Sequence, residues 1–149
     1  MKPTLLLRIA SILTLVFCVA HTVGGVLSPP APGAQTLAVK AMKFYSFNAM
    51  GAMRTFWDFH VGYGMLLAVV LFVQSVFFWQ LSILAKTDTS RLRPIFALFA
   101  LEFLAFAPIA AHYFFLGPAI VSLAIAACLA AAFFGTGATV PVSSGTHAL

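Results

Sequence analysis

Pro94 to Phe134 reads PIFALFALEFLAFAPIAAHYFFLGPAIVSLAIAACLAAAFF, an apolar run in which Glu102 is the single charged side chain. The run is long enough to cross a bilayer twice. A carboxylate placed there costs roughly 2.5–3.5 kcal/mol at the membrane centre on insertion scales, so it needs a partner or a purpose. The whole chain follows the same pattern. Of its 149 residues, 62% are hydrophobic and 7% charged, with a mean hydropathy of +1.07. Soluble domains carry about 25% charged residues, so composition alone places this chain in a membrane.

Working outward from that run, four apolar stretches stand out: about 5–27, 61–85, 94–116 and 118–134. Each has roughly the 17–25 residues that a spanning helix requires. The first ends at Gly24, Gly25 and the breaker Ser28-Pro29-Pro30-Ala31-Pro32-Gly33. The expected fold is all-α within one membrane domain: a four-helix transmembrane bundle with a partly helical extracytoplasmic loop, 28–60, between helices 1 and 2. The Gly-, Ser- and Thr-rich tail, 135–149, is expected to be flexible. Short connections at 86–93 and near Gly117 make neighbouring helices antiparallel.

Eight Lys and Arg face three Asp and Glu. No basic stripe with interleaved aromatics accompanies that surplus, which argues against nucleic acid and for a bilayer. Lys2, Arg8, Lys86, Arg91 and Arg93 fall on one side of the spans and Lys40, Lys43 and Arg54 on the other. The basic excess puts both termini in the cytoplasm, and the expected location is a cell inner membrane. A rival reading treats residues 1–20, ending Cys18-Val19-Ala20, as a cleaved secretory signal; against it, the apolar run continues through Val23 and Val26.

In the loop, TLAVKAMKFYSFNAMGAMRTFWDFH (residues 36–60) mixes aromatics and methionines with few charges. It reads as an interfacial or re-entrant helix, ended or bent at Gly51, in which Arg54 and Asp58 pair four residues apart. The cysteines, Cys18 and Cys128, lie at different expected depths, which disfavours a disulfide and leaves them as small buried hydrophobes.

Two polar stripes recur at helical spacing: Thr4, Arg8, Ser11, Thr14, Cys18, His21 and Gly25 in the first span, and His60, Gly64, Leu67, Leu71, Gln74 and Phe78 in the second. Depth sorts the polar groups into two layers. Thr14, Gln74 and Glu102 fall roughly 12–15 Å from the inner boundary, counting 1.5 Å per residue. His21, His60 and His112 fall towards the outer face, with Asp58, Tyr63 and Tyr113 nearby; Pro108 is expected to kink the third span below His112. The inner cluster reads either as a packing device, Glu102 hydrogen-bonding Gln74 and Thr14, or as a proton-relay or ligand-anchoring carboxyl. The outer cluster reads as interhelical hydrogen bonding, as a small-ligand pocket lined by His21, His60, Tyr63 and His112, or as a metal or haem site. No HxxxH or CxxCH spacing favours the last of these, and no metal ligand set is assigned.

His21-Thr22-Val23-Gly24-Gly25, the segment Phe56-Trp57-Asp58-Phe59-His60-Val61-Gly62-Tyr63-Gly64, four spans in about 150 residues and a long first loop together resemble small bacterial four-helix membrane proteins of the DoxX-like type. The resemblance is architectural; it implies a membrane location and transfers no residue role. Phosphate loops, nucleophile elbows and HExxH are absent, so the chain is not expected to be an enzyme. The expected function is binding of a small apolar or lipid-like ligand in an outward-facing pocket. The alternatives are an accessory subunit that meets a membrane-protein partner through the fourth span, and a b-type haem or quinone-linked redox protein.

Overall fold

The computed structural model describes residues 2–135; the expected flexible tail falls, beyond Gly135, outside them. Helix α1 spans Pro3–Ala20 and continues as a wider π-helical segment over His21–Val26. Next come α2 (Ala34–Phe44), a two-stranded hairpin of β1 (Ser46–Ala49) and β2 (Ala52–Thr55), and α3 (Phe56–Leu84). A 3-10 turn at Ser90–Leu92 leads into α4 (Arg93–Tyr113), and α5 (Leu116–Gly135) follows. Four helices are long and apolar enough to cross a membrane: Pro3–Val26, Phe56–Leu84, Ser90–Tyr113 and Leu116–Gly135. At most 33% of the most apolar window of any of them is buried, so most of their apolar surface faces outward, as suits a helix surrounded by hydrocarbon.

The structure corrects the reading of residues 36–60. Helix α2 runs only through Phe44, the hairpin fills Ser46–Thr55, and residues 56–60 already belong to α3. Ser46 pairs with Thr55 and Ala49 with Ala52, leaving Met50 and Gly51 as a two-residue turn. Both have positive φ, 51° and 96°, the condition for the turn that matches strand twist. Gly51 is therefore a hairpin residue, and its N–H donates to Asn48 Oδ1 at 2.7 Å.

The second long helix starts earlier than expected, at Phe56, because Thr55 and Asp58 cap it reciprocally. The Asp58 N–H donates to Thr55 Oγ1 (3.2 Å), while the Thr55 N–H and hydroxyl donate to Asp58 Oδ2 (2.7 and 2.9 Å). This capping box satisfies helix-start donors that would otherwise be orphaned. It also replaces the expected Arg54–Asp58 pair, since Arg54 lies on a strand and its Nη1 donates to the Met53 carbonyl at 2.8 Å.

The described residues divide into two compact units, one made of residues 2–13 and 77–135, the other Thr14–Val76. In the first, α4 packs on α5. Phe96, Ala100, Phe103, Ala107 and Ala110 form the buried stripe of α4, and Ala119, Ser122, Ala126, Leu129 and Ala132 are buried on α5. Small residues alternating with large ones let the helices approach closely, the usual source of helix association in lipid. Phe78 is fully buried, with Phe99 edge-on at 5.1 Å and Phe103 at 6.2 Å. Two cations lie over aromatic rings, Arg8 over Trp79 (5.2 Å) and Arg93 over Phe133 (4.5 Å).

In the second unit the π-helical segment meets α3 at close range. The Cys18 thiol donates to the Ala68 carbonyl at 3.2 Å, and His21 Nε2 lies 2.9 Å from the Gly64 carbonyl. Gly64 permits this approach: a Cβ there would come within 2.5 Å of Val26 Cγ2. Thr22 turns its hydroxyl back onto the Cys18 carbonyl at 2.8 Å, a bond that bends helices and accompanies the widening.

Candidate functional site

The sequence-derived candidates take up different environments. A carbonyl only accepts, so the His21–Gly64 bond fixes the proton on Nε2 and commits that nitrogen to holding helices together. His60 is exposed, with its ring 5.2 Å from Trp57, whose other neighbour is the Lys43 ammonium at 4.5 Å. His112 is exposed at the end of α4, edge-on to Tyr113 at 4.6 Å. Among the described residues, no three His, Cys, Asp or Glu side chains are grouped so as to hold a metal ion. Of the inner cluster, Thr14 and Gln74 are buried and Glu102 is half-buried on α4.

Tyr63 is the candidate that lines a recess. A groove of about 270 Å³ runs along the first turns of α3, lined by Arg54, Asp58, Phe59, Gly62, Tyr63 and Leu66. Its origin lies in the helix geometry. Asp58, Gly62 and Leu66 recur every four residues and so share one face, flanked by Phe59 and Tyr63. Gly62 contributes no side chain at the centre, and a Cβ added there would meet nothing within 4 Å. The missing side chain is the notch.

The groove has a polarity gradient. Arg54 and Asp58 mark the end next to the hairpin, and Leu66 lies about 12 Å further along the helix axis at 1.5 Å per residue. Arg54 and Asp58 form no close ion pair; Arg54 adds a coulombic pull on the Asp58 carboxylate that is secondary to the Thr55 hydrogen bonds. Asp58 is held by Thr55 through Oδ2, and no hydrogen bond among the described residues reaches Oδ1. A second, broader depression of about 600 Å³ follows Lys40, Ala41, Lys43, Phe44 and Tyr45 on α2; it is an open basic and aromatic surface rather than a cleft.

Of the ligand candidates named from sequence, only Tyr63 lines this groove; His21, His60 and His112 do not, and the groove itself was not expected. The available signals were Thr55-x-x-Asp58, which starts α3 a turn early, and the spacing of Asp58, Gly62 and Leu66, which marks a helix face interrupted by a glycine. No protein-family model, curated protein or solved structure matches the chain, so the chemistry of the groove rests on its own residues.

Proposed function

We propose that this is an inner-membrane protein, a four-helix bundle with both termini cytoplasmic, that binds a lipid-like ligand in the groove at the head of α3. The observation that carries this reading is the gradient along that groove, from a charged mouth at Arg54 and Asp58 to the apolar Tyr63–Leu66 end. An amphiphile lying along a membrane helix has the same gradient in the same direction, with its headgroup at the surface and its chain toward the interior. A volume of about 270 Å³ suits a headgroup with its first methylenes rather than a whole lipid. The surroundings also fit the headgroup layer, since Phe44, Tyr45, Phe56 and Tyr63 are all exposed at this end beside Lys40 and Lys43. The basic residues of the opposite loops support the proposed orientation.

Gly62→Leu tests the groove directly. An added side chain there starts in open space, so the variant should fold, and a leucine should improve helix propensity by up to about 1 kcal/mol. Protein purified in mild detergent and examined by native mass spectrometry should retain lipid in the wild type and lose it in Gly62→Leu. Equal retention by the two proteins would refute the groove as the binding site.

A second reading, an accessory subunit docking through the fourth span, draws on Ala127 and Ala131, exposed four residues apart on the side of α5 away from its buried alanines. The same purification separates the two, because a subunit brings down a protein partner whether or not Gly62 is replaced.

A further inference from the structure

We infer that the groove selects a zwitterionic lipid whose headgroup carries both a phosphate and a primary ammonium, the phosphate on Arg54 and the ammonium on Asp58 Oδ1. The inference rests on the lipid-binding reading above and specifies its headgroup. One cation and one anion line the same small recess, and each makes its hydrogen bonds locally rather than to the other, with only a secondary coulombic pull between them. Arg54 Nη1 is held by the Met53 carbonyl, and Asp58 Oδ2 by the Thr55 N–H and hydroxyl. Those local bonds keep two opposite charges in place without closing the gap between them. A ligand that carries the complementary pair of charges can bridge it.

Other headgroups match less well. A purely anionic one would place its phosphate near the Asp58 carboxylate with nothing to offer that oxygen. A quaternary ammonium matches the charge and can rest against Phe59 or Tyr63, but it has no N–H to donate to Oδ1. Lys43 sits over the Trp57 ring and is not part of the groove lining, so it does not tip the recess toward a simple anion site. The expected order of preference is phosphatidylethanolamine, then phosphatidylcholine, then phosphatidylglycerol.

The experiment is lipid competition on the full chain in nanodiscs containing equal parts phosphatidylethanolamine and phosphatidylglycerol, read by native mass spectrometry of the retained lipid. The wild type should favour phosphatidylethanolamine by roughly tenfold, the size of one charge-assisted hydrogen bond. Acetylating the lipid amine should abolish the preference on the unaltered protein. Asp58→Asn, which keeps an acceptor for the Thr55 cap but removes the charge, should do the same, and Arg54→Gln should weaken both lipids together. Absence of a preference in the wild type, or a preference that survives amine acetylation, would overturn the inference while leaving a Gly62-sensitive lipid site intact. If lipid retention is insensitive to Gly62→Leu, the groove reading falls first and the headgroup assignment with it.

Discussion

Gly64 shows how much can depend on one hydrogen atom in place of a methyl. Its missing Cβ lets Val26 sit against α3, and that approach brings His21 to the Gly64 carbonyl and Cys18 to the Ala68 carbonyl. Gly64→Ala should therefore destabilise the protein by about 1–3 kcal/mol, the usual cost of overpacking a closed contact. Adding Val26→Ala should recover much of that loss, because the clash is with the valine methyl. Unfolding curves in detergent for both single variants and the double variant measure the coupling, and strictly additive effects would contradict it. Part of this is legible in the sequence. The stripe Ser11, Thr14, Cys18 was read from spacing and is buried, as are Leu71, Gln74 and Phe78 in the second stripe. Arg8 and His60, placed on the same stripes, are exposed, because period alone does not say where along a helix packing stops. The role of Gly64 was not legible, since it depends on a residue 38 positions earlier in the chain.

At the level of elements, run length and hydropathy located the four long helices, and local hydrogen bonds then set their ends. The hairpin escaped sequence reading because its turn is Met50-Gly51, without the Asn or Asp that usually announces positive φ, and its strands are four residues each. The π-helical segment escaped as well, since HTVGGV carries no local signature that separates it from an ordinary helix end. The connection between α3 and α4 offers a test through pH. The Ser90 hydroxyl donates to Asp88 at 2.8 Å, the Arg91 N–H adds a second bond, and the Arg91 side chain lies 2.9 Å away. The Ser90 bond is the main influence holding this carboxyl below its ordinary range. Folding thus lowers this pKa, so the contribution is complete above the unfolded value of about 3.9 and is lost as pH falls through the folded value. Asp88 is exposed, so the signature is local. Carbon-13 titration of the Asp88 carboxyl should show a midpoint below that of a free aspartate, and Ser90→Ala should raise it. An unshifted midpoint would mean that the turn does not persist in solution.

For the whole molecule, the proposed orientation gives an outcome that can be read from either side of the membrane. In a background with Cys18 and Cys128 replaced, a cysteine at Lys40 should react with an impermeant maleimide added outside intact cells. A cysteine at Arg91 should react only after permeabilisation. The reverse pattern would invert the topology and put the groove at the cytoplasmic face. The link between α4 and α5 bears on biogenesis. Only Phe114 and Phe115 separate the two helices, and both side chains are exposed. Two residues leave no room for an intervening loop, so α4 and α5 stand as an antiparallel hairpin, and we propose that they insert as one unit. The stripe Phe96, Ala100, Phe103, Ala107 and Ala110 of α4 packs in the unit that α5 completes, and a chain that stops after Tyr113 would have to insert this span without its packing partner. Truncation at that point should lower membrane integration of the third span more than its own hydropathy implies.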